Sequence, residues 1–291
     1  MDCLPFAFVD EVLRRSNYFY KVLSLKSQLW VKIEKEYQSK FRIDLELTRT
    51  SRDAFYDLPY RHRHLERLYL ANFNDNDPND VLNVDDSVTL LKDALRSFNL
   101  FGFITAVFVN DNFPDKLLAQ ILHRLPQLPK YFLSLQIARV STEVLNLLEQ
   151  CVVCGQLKFF GISSKEEDIP EPCKGRLFSL IGNLTLRKES MRVCVPELTL
   201  PTTVLEKVFS SWLANPSPFQ FKSITAKIAN GDIERFLKYF GGDVYAYGRR
   251  HPSNKDFFAT LENRELMRLR FFTSQWLHGT AEFLLNDEYC F

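Results

Sequence analysis

The sequence predicts an α/β fold in which strand–helix units stack one behind the next. Three observations point to it. Short apolar strands alternate with helices of three- and four-residue periodicity over residues 41–248. Strand positions at Phe103, Leu133, Leu157, Leu184, Phe219 and Val244 are separated by 30, 24, 27, 35 and 25 residues, room for one strand and one helix per unit. No Gly-rich phosphate turn stands at any strand end, and the chain of 291 residues has only 10 glycines. A unit of that size cannot hide its apolar face alone, so neighbours stack and bury a shared core. A closed or open α/β domain carries the same alternation; the missing phosphate turn favours the stack.

The chain divides into a short helical segment at residues 1–40, the strand–helix region at 41–248 and a β-rich C-terminal cap at 249–291. In the first segment Leu4-Pro5 opens a helix, because proline tolerates the first helical turn. Phe8, Val9, Val12 and Leu13 share one face of it. Tyr18, Val22 and Leu25 form a second apolar cluster, and Trp30, Ile33 and Tyr37 a third stripe. Three short helices make a marginal core and must pack on something else.

Phe41 to Leu47 alternates with period two and predicts a half-buried strand. A basic loop is expected next, with Arg49, Arg52, Arg61, Arg63 and Arg67. Leu65-x-x-Leu68-x-Leu70-x-x-Phe73 then fits the strand portion of a leucine-rich repeat, with Phe73 at the usual polar closing position. An acidic loop, Asn74 to Asp86, leads to a helix carrying Val88, Leu91, Leu95 and Phe98. Strand Phe103–Val109 precedes a helix from Pro114 with Leu117, Leu118, Ile121 and Leu122; strand Phe132–Ile137 precedes a helix capped by Ser141 or Thr142. Strand Leu157–Ile162 leads into an acidic, proline-rich loop at Lys165–Pro172, and a strand is expected at Leu184–Leu186. Pro201 opens a helix through Leu205, Val208, Phe209, Trp212 and Leu213. Strand Phe219–Ile228, a helix from Gly231 to Phe240 and strand Val244–Tyr247 follow. The cap reads as strands at Phe257–Leu261, Leu266–Phe272 and Thr280–Leu285. Repeats of this class run about 20–29 residues, so the predicted fold is an irregular leucine-rich-repeat-like stack.

Composition narrows the function classes. A formal net charge of +1 nominates neither nucleic acid nor an anionic membrane as partner. No run approaches eighteen uncharged apolar residues, so no membrane span is expected. Asp2, Asp10 and Glu11 speak against a secretory signal. Six cysteines in so long a chain read as reduced thiols, so an intracellular protein, cytoplasmic or nuclear, is expected.

Candidate chemistry is sparse. Cys151-Val152-Val153-Cys154 has redox or zinc half-site spacing, but it falls at a helix end just before Gly155, where the dipole disfavours a thiolate. No second such pair completes a zinc site. Asp75-x-Asp77-x-Asn79 imitates the start of a calcium loop, yet Asp80 replaces the required glycine and Asp86 the closing glutamate. His62-Arg63-His64 lacks a third ligand and reads as a basic edge. No nucleophile elbow or paired-acid arrangement stands out, so no catalytic, metal or cofactor residue is assigned and the protein is expected to act by binding.

The opening helices resemble an F-box in degenerate form. The resemblance rests on Leu4-Pro5, the pair Val12-Leu13, the cluster Val22 to Leu25, and Trp30. The rest is similar to the F-box-associated repeat regions of the large nematode F-box families, most of all Leu200-Pro201 to Phe221, with Trp212 followed by a proline-rich stop. This resemblance implies a substrate receptor of a cullin–RING ubiquitin ligase. Leu4, Pro5, Phe8, Val12, Leu13, Leu25 and Trp30 would contact a Skp-family adaptor, and the repeats would hold a protein substrate. The alternative is a repeat-type binding protein outside any ligase, whose N-terminal helices only cap the array. A third reading, an enzyme on a decorated α/β domain, requires a deep pocket of convergent acids, histidines or cysteines.

Overall fold

Among the described residues, seven parallel strands in unbroken chain order form the larger part of one eleven-stranded sheet. The computed structural model describes residues 41–57, 63–70, 80–97, 104–187, 191–207, 222–227, 245–247, 254–261, 265–272 and 280–285. The parallel strands are β1 (Phe41–Glu46), β2 (Arg63–Leu70), β3 (Ala106–Val109), β4 (Ser134–Ile137), β5 (Phe159–Ile162), β6 (Met191–Thr199) and β7 (Lys222–Lys227). Between them lie α1 (Arg49–Asp57), α2 (Val84–Ser97), α3 (Asp115–Arg124), α4 (Thr142–Cys154) and α5 (Glu171–Thr185). The chain is thus α/β, as its alternation predicts.

Side chains alternate across a strand, so a parallel register lines up equivalent residues into rungs. Leu45, Leu68, Val107, Leu135, Phe160, Val193 and Ile224 are consecutive partners along one rung. None of them is more than 1% exposed. Leu70, Val109, Ile137 and Ile162 form a second buried rung. Each such side chain contributes about 1.5–3 kcal/mol on burial. The backbone continues the pairing past the strand ends: Asn110 N–H donates to the Leu70 carbonyl at 3.0 Å, Ala138 to Val109 at 2.8 Å and Ser163 to Ile137 at 3.0 Å.

The helices pack in the same order, α2 on α3, α3 on α4 and α4 on α5. Parallel crossovers are right-handed, so a strand order that never reverses puts successive helices on one face. A doubly wound sheet, with helices on both faces, requires a reversal. The buried rungs therefore belong to the helix side, and the intervening residues to the other.

Local chemistry accounts for the helix boundaries. Ser141 caps α4, its hydroxyl accepting from the Val144 N–H at 3.3 Å. Gly155 ends that helix at φ 76°, a left-handed conformation that favours glycine. Arg187 reinforces the end by donating to the carbonyls of Cys151 and Val152. In α3, the predicted Leu117, Leu118, Ile121 and Leu122 are all buried.

Several segments differ from their sequence expectations. Much of the expected basic loop is regular structure: Arg49–Asp57 is helical, and Arg63 and Arg67 lie in β2, while Arg61 lies outside the described residues. Capping explains the helix, since the Thr48 hydroxyl accepts from the Ser51 N–H at 3.2 Å and the Asp80 carboxylate accepts from the Thr50 N–H at 3.0 Å. The strand expected at Leu184–Leu186 is the end of α5, and the real strand is β6. Pro172 stands in the first turn of α5, where its missing N–H costs nothing. Cys173, Leu177, Leu180, Ile181 and Leu184 then bury one side of the helix. The tail of the acidic loop expected at Lys165–Pro172 is accordingly helical, and Glu166–Asp168 adds a short 3₁₀ turn.

The C-terminal strands β8 (Tyr245–Tyr247), β9 (Asn254–Leu261), β10 (Glu265–Phe272) and β11 (Thr280–Leu285) extend the same sheet. β11 runs antiparallel to β7, followed outward by β10, β9 and β8. Residues 202–207 are helical after Pro201, with Leu205 buried. The continuation through Val208, Phe209, Trp212 and Leu213, and the helix expected at Gly231–Phe240, lie outside the described residues. Among those described, no helix is long and apolar enough to cross a membrane.

Candidate interaction surface

The sheet face opposite the helices is built from the residues between the buried ones. One row runs Glu46, Tyr69, Phe108, Gln136, Gly161, Cys194 and Thr225, each paired with the next. Beside it lie Asp44, Arg67, Ala106, Ser134, Phe159 and Arg192. Asp44, Arg67 and Arg192 are exposed, and most of the others are partly buried, in contrast to the sealed rungs next to them. Tyr69 and Phe108 stack with ring centroids 4.8 Å apart and planes 9° from parallel. Gly161 keeps the middle of the face low. A Cβ there would lie 3.1 Å from the Phe159 ring and 3.6 Å from Cγ of Gln136.

Charge collects toward the β1 end. Arg67 lies 3.7 Å from Asp44, with both side chains about half exposed. The Glu46 carboxyl is held above its ordinary range by partial burial, and then by the nearby charges of Asp80 and Asp44. On the other side, Lys227 pairs with Glu197 at 2.8 Å. From β3 to β5 the face carries aromatic, amide, hydroxyl and glycine groups but no ionisable side chain. Such a surface has a neutral, partly apolar centre with charge at its margins, an arrangement typical of contact surfaces.

The sequence-derived chemical candidates scatter. Cys151 is buried in α4, and burial, with Cys154 beside it, pushes its thiol far above the ordinary range, against a smaller lowering by Arg187. A thiol so placed is protonated at neutral pH and a poor nucleophile. Cys173 is buried in α5, and Cys3 and Cys290 lie outside the described residues. Asp80 accepts from the Thr50 N–H and hydroxyl at the α1 N-terminus, and Asp86 accepts from the Asn83 side-chain amide while its N–H donates to Asn83 Oδ1. Asp75, Asp77 and Asn79 lie outside the described residues, as does His62. His64 is in β2, in register with Arg42. Among the described residues, no group of three or more His, Cys, Asp or Glu side chains is placed to hold a metal ion.

A groove of ≈ 690 Å³ lies along the junction of α3 and α4, lined by Leu122, His123, Pro126, Glu143, Gln150 and Val153 among others. Among these lining residues, Val153 is 81% exposed. Arg176 engages Asn146 and Glu149 on its wall, and Asn146 donates to Glu143 at 3.0 Å.

Leu4, Pro5, Phe8, Val12, Leu13, Leu25 and Trp30, the expected adaptor contacts, lie outside the described residues. Tyr69, Phe108, Phe159 and Gly161 were not singled out by sequence reasoning. The available signal was the position between the two leucines of Leu68-x-Leu70 and its counterparts in each later strand. No family model, curated protein or solved structure matches the chain.

Proposed function

We propose that this protein is an interaction scaffold, an irregular leucine-rich-repeat-like array that binds a protein partner across the sheet face opposite its helices. One observation carries the reading: seven parallel strands follow one another without a reversal, and their sealed rungs leave a broad alternate face. A reversal would create the crevice in which open α/β enzymes bind small ligands. An unreversed array offers a wide, shallow surface instead, suited to a macromolecule. The spacing from Val107 to Leu135 and on to Phe160 falls within the range of leucine-rich repeats. On this reading the protein acts by binding and not by catalysis.

In its finer form the proposal makes the protein a substrate receptor of a cullin–RING ubiquitin ligase. The N-terminal helices would dock on a Skp-family adaptor through Leu4, Pro5, Phe8, Val12, Leu13, Leu25 and Trp30. A handful of such side chains, each worth about 1.5–3 kcal/mol when fully buried, is enough for micromolar affinity. The test is co-purification of the full chain with the adaptor. Wild type is expected to retain it and Leu4→Ala/Pro5→Ala to lose it. Retention by neither reduces the protein to a plain repeat-type binder whose N-terminal helices only cap the array. Equal retention by both moves the docking site elsewhere.

A further inference from the structure

We draw no further inference here: the strongest candidate, the groove between α3 and α4 beside the exposed Val153, has its wall groups Glu143, Asn146 and Glu149 already engaged with one another or with Arg176, and nothing in the structure shows what covers it.

Discussion

Phe159 and Phe160 are neighbours in β5, and the fold assigns them opposite fates. Phe160 is 0% exposed and stands in the central rung between Leu135 and Val193. Phe159 is partly buried on the other face, its ring lying against Gly161. Truncating Phe160 to Ala removes a fully buried ring from between a sheet and a helix layer that cannot close over the gap. The expected cost is about 3–5 kcal/mol, a large fraction of the roughly 5–15 kcal/mol that holds an ordinary domain together. Phe159→Ala gives up only partial burial, and the expected cost is about 1 kcal/mol. Urea unfolding of the full chain measures both, with the transition midpoint as readout and the slope as a check that the same surface is exposed on unfolding. If Phe159→Ala lowers the midpoint as far as Phe160→Ala, the face opposite the helices is covered by a second layer. The scaffold reading then fails with it.

Further predictions follow from single residues. Gly155→Ala should destabilise by about 1 kcal/mol through backbone strain alone, because φ is 76° and the added Cβ would meet nothing nearer than Arg187 Nη2 at 4.0 Å; an unchanged melting temperature would contradict this. The Glu46 carboxyl titrates above its unfolded value, so the folded state holds the proton more tightly and the ionised form is the disfavoured one. Its contribution is therefore fully present below the ordinary glutamate range and lost as pH rises through the raised value. Glu46→Gln should flatten stability against pH in that window and leave the variant relatively more stable at neutral pH; parallel wild-type and variant curves would refute it. Cys151 should resist iodoacetamide at neutral pH while the chain is folded and react once it is unfolded in urea. Rapid native-state labelling, read by peptide mass spectrometry, would overturn its assignment as a buried structural thiol.

Much of the fold was legible because local chemistry decided it. Serine before an apolar helix, followed by a glycine at its end, marks α4 at both boundaries, and the capping geometry at Ser141 and Gly155 agrees. The stripe of Leu117, Leu118, Ile121 and Leu122 specifies the buried face of α3. The alternation from Phe41, the leucine pattern from Leu65 and the segment from Thr280 read as strands, and strands form there. Where the sequence was misread, distant residues made the decision. Arg49–Asp57 looks like a charged loop until Asp80, thirty positions away, supplies an acceptor for its first turn. The α5 segment, with two prolines beside its start and two glycines within, has poor intrinsic helix preference, and packing of Leu177, Ile181 and Leu184 overrides it.

The candidate surface lay further from reach. Periodicity shows which residues of one strand share a face, but not which strand lies beside which. Only the parallel register brings Tyr69 against Phe108 and sets Gln136 and Phe159 around Gly161. By itself, then, the sequence determined the strand–helix units and their apolar sides, because these depend on neighbours a few residues away. The tertiary structure alone decided the unreversed strand order, and with it the face left opposite the helices, because order and register are set by contacts between units.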